Sequence, residues 1–248
     1  MLHVHLAERL RPYMVDRMRA AFEAGCEVHI ALPLATLYDE QVLVDLVRLD
    51  PQVHLIASDG AVASAVSLLT ALAGRRIQVT TGARKSLAAT GFELCALPGT
   101  NHQRGRRYEA LITFLLSQTE DFDVVEHNLR TDTEELDAVV QQRATHGRAW
   151  ATLGAPFILV EAKNWAAAVP QKEVSVFRVK MEGRRGGVRI GIMFGANGFT
   201  SDALDHELRF ASDELTIVFI GPEELRAWAE ADEPDDYLER LVRRAILR

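Results

Sequence analysis

The stretch Pro156-Phe157-Ile158-Leu159-Val160-Glu161-Ala162-Lys163 is an apolar run that ends in a carboxylate and an ammonium separated by one alanine. Such an uninterrupted run predicts a strand buried on both faces, as in the interior of an α/β sheet. Side chains alternate along a strand, so Glu161 and Lys163 fall on the same side. Taking either charge out of water unpaired is costly, so the two groups belong at a sheet rim, where they pair or hold an ion. Upstream, Leu136-Asp137-Ala138-Val139-Val140 reads as a second short apolar strand ending in Asp137, which supplies another carboxylate.

Two carboxylates at a strand rim offer the hard oxygen ligands that Mg²⁺ prefers, with Mn²⁺ as a substitute. A metal held there lowers the pKa of a bound water and stabilises charge developing on a phosphate, and Lys163 adds positive charge beside it. The expectation is a metal-dependent nuclease site built on Asp137, Glu161 and Lys163. A Glu-x-Lys tripeptide by itself arises about once by chance in a chain this long. The preceding strand, the upstream Asp137 and the order of the flanking segments separate this one from a solvated Glu-Lys pair.

Those segments resemble the PD-(D/E)XK nuclease superfamily, in particular its Mrr-like restriction endonuclease branch, over about residues 105–225. Arg107-Tyr108-Glu109-Ala110-Leu111 is similar to the helix that opens the catalytic core in that family. Glu134-Glu135-Leu136-Asp137 resembles the Asp-bearing strand, and Val160-Glu161-Ala162-Lys163-Asn164-Trp165 the signature strand. A helix from about Pro170, the strand Arg189-Ile190-Gly191-Ile192-Met193-Phe194 and the turn Asn197-Gly198-Phe199-Thr200 follow in family order. Mrr-like proteins often carry Gln where this chain has Glu161; Glu-x-Lys follows the wider superfamily. The resemblance implies an αβββαβ core, Mg²⁺-dependent hydrolysis of DNA, a role in restriction or antiviral defence, and Ala162 lending its backbone carbonyl to the metal. It also marks Glu109 as a helix carboxylate that joins or positions the metal shell. Tyr108, Leu111, Ile112, Leu115 and Leu116 form the stripe of a core-facing helix. Glu109 flanks that stripe, so it either reaches inward or sits on the helix surface near the positive end of the dipole.

The formal net charge of −7 argues against nucleic acid until its distribution is considered. From Lys163 to Arg189, seven Lys or Arg stand against Glu173 and Glu182, a local net of +5. Arg104, Arg106 and Arg107 precede the Glu109 helix. Acidic residues concentrate in 120–137 and 230–239, which predicts a basic track beside the site and acidic segments left in solvent.

The first hundred residues alternate strands and helices, implying a Rossmann-like parallel sheet. Strands are expected at 2–6, 26–32, 53–57 and 77–80, and helices at 12–24, through Val42, Leu46 and Leu49, and at 61–73. Turn residues Pro98-Gly99-Thr100-Asn101 place a boundary there, giving a regulatory or dimerisation domain at 1–100 and a catalytic domain with a helical C-terminus at 101–248. Ser58-Asp59-Gly60 lies where open α/β sheets bind ligands, but it lacks a glycine fingerprint and reads better as a capped turn. The domain order is similar to that of CRISPR-associated Rossmann-fold effectors, which implies a small nucleotide ligand, such as a cyclic oligonucleotide, controlling cleavage of DNA or RNA. The reading from a different class is a nucleotide-sensing or protein-binding regulator that uses the nuclease fold as a scaffold.

Other chemistry finds no support. His3, His5, His29 and His54 lack zinc-ligand spacing, Cys26 and Cys95 make no disulfide framework, and neither a Walker A loop nor a Gly-x-Ser-x-Gly elbow occurs. With 48% hydrophobic and 25% charged residues, no membrane-length apolar stretch and no basic leader before His3, a cytoplasmic globular protein is expected. One site per chain and two strands per duplex favour a homodimer.

Overall fold

A computed structural model of the protein describes residues 81–248 except 131–134, 144–146, 185, 210–214 and 248; before residue 81 it describes three strands and scattered positions. The chain divides into two compact units, Met1–Gln118 and Thr119–Arg248.

In the first unit, β1 (Leu2–His5), β2 (Val28–Ala31) and β3 (Val53–Ile56) form a parallel sheet in that order. The helix expected through Val42, Leu46 and Leu49, and the turn at Ser58-Asp59-Gly60, lie outside the described residues. The fourth strand expected at 77–80 is not formed at Gln78 and Val79. Their polar groups serve a helix end instead: Gln78 Nε2 donates to the Ser117 carbonyl at 2.6 Å, and the Val79 N–H donates to Gln118 Oε1 at 2.9 Å. The chain then enters α1 (Thr81–Ala96), a helix that the sequence reading passed over.

Helix α2 (Asn101–Ser117) contains the expected segment Arg107–Leu111 and begins earlier, so that Arg104, Arg106 and Arg107 lie within it. Thr100, one of the turn residues, is its N-cap: Thr100 Oγ1 accepts from the Gln103 N–H, and Gln103 Oε1 accepts from the Thr100 N–H. This reciprocal pair satisfies two amides that the first turn leaves without helical partners. The expected stripe is buried, but so are Ala110, Thr113, Phe114 and Ser117, so the second half of α2 is covered on every face. Arg107 is buried as well, and its Nη1 donates to the carbonyls of Leu97 and Pro98 at 2.8 and 3.2 Å. It closes the end of α1, and it is no part of a basic track.

The second unit is organised by a five-stranded sheet in the order β4-β5-β6-β7-β8. β4 (Phe122–Arg130), β5 (Glu135–Gln142) and β6 (Phe157–Lys163) are antiparallel neighbours, whereas β6, β7 (Val188–Gly195) and β8 (Thr216–Ile220) run parallel. With α2 before β4 and α4 (Gln171–Glu182) between β6 and β7, the element order is the expected αβββαβ, interrupted only by the short α3 (Ala149–Thr152). Helix α5 (Ser201–Arg209) leads to β8, and α6 (Pro222–Glu230) and α7 (Pro234–Ile246) follow it.

One sheet face packs on α4. Leu159, Met193 and Ile217 form a core with Val174, Phe177 and Met181 of that helix. Gly191 makes the close approach possible, because a Cβ there would lie 2.6 Å from both Met181 Sδ and Phe177 Cε1. Gly191→Ala is therefore expected to cost about 1–3 kcal/mol of stability through overpacking. Denaturant unfolding checks this, and an unchanged midpoint would mean that α4 yields freely. The opposite face carries Phe194, stacked on Trp228 of α6 with ring centroids 6.2 Å apart.

The two acidic stretches are not simply left in solvent. Arg148 gathers them, pairing with Asp121 at 3.4 Å, Asp236 at 2.7 Å and Glu239 at 2.9 Å, while Arg243 also holds Glu239. Burial pushes the Glu239 carboxyl upward, but hydrogen bonds from Arg148 and Arg243 and their charges outweigh it and hold the group below its ordinary value. A lowered carboxylate contributes stability that is present above the unfolded value of about 4.3 and is lost as pH falls through the folded one. Asp235, raised chiefly by burial, has the opposite slope. Wild type is thus expected to lose more stability on acidification below about pH 5 than Glu239→Gln does. Denaturant melts across that range test this; parallel curves would refute it.

Candidate active site

Strand β6 places Glu161 and Lys163 on the face that carries Leu159, toward α4. The antiparallel β5–β6 ladder pairs Val139 with Leu159 and ends at Ala138 with Val160. Val139 packs against the same core as Leu159, so Asp137, two residues earlier on β5, shares that face. Asp137 lies near the start of β5 and not at its end as expected; because the two strands are antiparallel, the start of β5 meets the end of β6. Where the ladder stops, a side chain takes over: Asp137 Oδ2 accepts the Ala162 N–H at 2.6 Å. The strands part at this point, and the polar residues cluster there.

Glu161 is buried, with 5% of its surface exposed, and both of its oxygens are engaged. Oε1 lies 2.7 Å from Lys163 Nζ and Oε2 lies 3.0 Å from Lys180 Nζ. Lys163 also reaches Glu173 at 3.4 Å and sits over the Trp165 ring, 5.8 Å from its centroid. Burial pulls the Lys163 ammonium down, but Glu161, Asp137 and Glu173 more than compensate and hold it above the ordinary lysine value. At neutral pH it is a fixed positive charge and not a base.

Lys180 and Glu173, expected only as part of the charged segment 163–189, belong to the site. They stand on α4 at i, i+4 and i+7 with the core residue Phe177 between them, so a polar pair on an otherwise apolar stripe was the available signal. The expected basic track is correspondingly reduced. Of its seven cations Lys163 and Lys180 face Glu161, Arg178 is buried beside Glu182, and Arg185 lies outside the described residues.

The loop after Lys163 is pinned by the Asn197-Gly198-Phe199-Thr200 turn. Asn197 Nδ2 donates to the Trp165 carbonyl, the Val169 N–H donates to the Gly198 carbonyl at 2.9 Å, and the Thr200 N–H donates back to Val169 at 3.0 Å. Gly198 has φ +73°, the left-handed region that glycine enters at no steric cost. Glu109, the remaining site candidate, is a half-buried residue of α2 in the first unit; Asp137, Glu161 and Lys163 are assembled by the second unit from its own strands.

A family model described as a restriction endonuclease catalytic domain of the Mrr type matches residues 101–229, just over half of the chain. The chain belongs to the Mrr-type restriction endonuclease family. The match begins at the first residue of α2 and ends within α6, so it takes in all three residues gathered at the β5–β6 parting. Comparisons with curated proteins and with solved structures returned no match. The family makes the domain a nuclease of the restriction-endonuclease type, with DNA as the substrate it implies. Among the described residues no helix is long and apolar enough to cross a membrane.

The donor set agrees with a hard divalent cation. Asp137, Glu161 and the Ala162 carbonyl are all oxygen donors, and the described residues hold no cluster of three or more His, Cys, Asp or Glu suited to a metal. Mg²⁺ keeps several waters and takes one or two carboxylates, so it needs no such cage.

Proposed function

We propose that this protein is a Mg²⁺-dependent endonuclease that hydrolyses phosphodiester bonds of DNA, with Asp137 and Glu161 as metal ligands and Mn²⁺ able to substitute. One observation carries the reading: Asp137, Glu161 and Lys163 share a sheet face where β5 and β6 part, inside a restriction endonuclease domain. The N–H and C=O of a strand residue point the same way, so the Ala162 carbonyl faces the Asp137 side and serves as a third donor. When bound there, a divalent cation supplies an acidified water and charge stabilisation at the phosphate.

The chain's own residues do the rest. Lys163 is a preorganised cation, held in place by Glu161, Glu173 and the Trp165 ring before any substrate arrives. Asp137 ties itself to the Ala162 amide and so fixes the spacing between the two ligand-bearing strands. We read residues 1–100 as a Rossmann-like regulatory or dimerisation domain, open to a small nucleotide ligand, and the whole as a cytoplasmic homodimer acting in restriction or antiviral defence.

Incubating the purified full-length protein with supercoiled plasmid in Mg²⁺, alongside RNA of similar length, tests the substrate class. Nicked and linear plasmid with intact RNA is expected. Intact plasmid, or RNA cut in its place, would contradict the proposal, and light scattering that returns a monomer would remove the dimer from it.

A further inference from the structure

Glu161 has one more cation than a nuclease carboxylate requires. Lys163 already pairs with Oε1, yet Lys180, two turns along α4 from Glu173, pairs with Oε2 at 3.0 Å and is itself largely enclosed, with 13% of its side chain exposed. Two ammonium groups share one buried carboxylate, and Glu173, 3.4 Å from Lys163, and the nearby Asp137 add negative charge around them. The four side chains thus form a chain of alternating charge, Lys180, Glu161, Lys163 and Glu173, that satisfies a buried carboxylate without any metal. A divalent cation taken by Glu161 would stand about 2 Å from its oxygen. That places it within a few ångströms of Lys180, where like charges in a partly buried site repel strongly.

We propose that Lys180 is a displaceable counter-ion of Glu161: it pairs the buried carboxylate in the metal-free protein and sets how tightly a divalent cation is taken. The inference rests on the reading of Glu161 as a metal ligand. Lys180 is a positioning residue here, acting on the metal through Glu161. Its placement on a helix, and not on the strand that carries Glu161, suits such a role. A lysine stem is long and flexible, so its head can withdraw without moving the sheet.

The test is calorimetric titration of the full-length protein with Mn²⁺, paired with thermal unfolding in chelator. Wild type should bind Mn²⁺. Lys180→Met should bind it about tenfold more tightly, and its metal-free form should melt at a lower temperature because Glu161 loses a partner. Lys180→Arg, which keeps the charge, should retain wild-type affinity. A purely structural lysine would lower the melting temperature and leave the affinity alone. Folded Lys180→Met with unchanged or weaker Mn²⁺ binding therefore overturns the inference and leaves the metal reading standing. Wild type that binds no Mn²⁺ overturns both. If Lys180→Met does not fold by circular dichroism, Lys180→Gln, which keeps a hydrogen-bond donor for Oε2, decides the matter by the same affinity comparison.

Discussion

Asp137→Asn and Glu161→Gln are each expected to reduce plasmid cleavage by at least about a thousandfold, since each removes an anionic oxygen that the metal requires. The amides are chosen for a structural reason. Glu161 is buried between Lys163 and Lys180, so Glu161→Ala would leave two ammonium groups facing each other without their common partner. An alanine variant would mix lost chemistry with lost stability, contrary to the simple picture of an exposed rim ligand. Glu161→Gln keeps the volume and an oxygen acceptor, and Asp137→Asn keeps an oxygen for the Ala162 amide. Initial rates on supercoiled plasmid, with circular dichroism on the same preparations, check the prediction. Substantial cutting by either folded variant would put the metal elsewhere.

Lys163→Ala is expected to slow cleavage by about 10²–10³-fold, the usual effect of losing one preorganised charge that acts on the transition state. Metal binding should persist, because an ammonium does not ligate a cation, and it should tighten once a positive charge beside Glu161 is gone. Single-turnover rates at saturating DNA and a calorimetric metal titration separate these effects. A variant that cut normally, or that lost its metal, would reverse the role given to Lys163.

The parts of this site that were legible in the sequence are those that depend on short-range alternation. Glu161 and Lys163 sit two apart on one strand, so their common face followed from the pleat alone. Asp137 was legible as a strand carboxylate, but its position at the start of β5 depends on the antiparallel β5–β6 pairing, which no local pattern declares. Lys180 and Glu173 were illegible for a related reason. They reach Glu161 and Lys163 because α4 settles closely on the sheet where Gly191 leaves room, a packing geometry that hydrophobic periodicity does not reveal. The basic segment was over-read by counting charges: Arg107 closes a helix end and Lys180 faces a carboxylate, so formal charge in the sequence did not equal positive surface. In the first unit, alternation found the three parallel strands, whereas Gln78 and Val79 looked like a fourth because polar caps of a distant helix leave no mark on hydrophobic pattern.

The central claim, that the β5–β6 parting is a metal-dependent cutting centre, is tested most directly by following cleavage of one supercoiled plasmid by full-length protein stripped of metal, as Mg²⁺ is added back. No cleavage in chelator and saturable restoration by Mg²⁺, absent in Asp137→Asn, is the predicted result; cleavage that continues in chelator, or that Asp137→Asn supports equally, would contradict it.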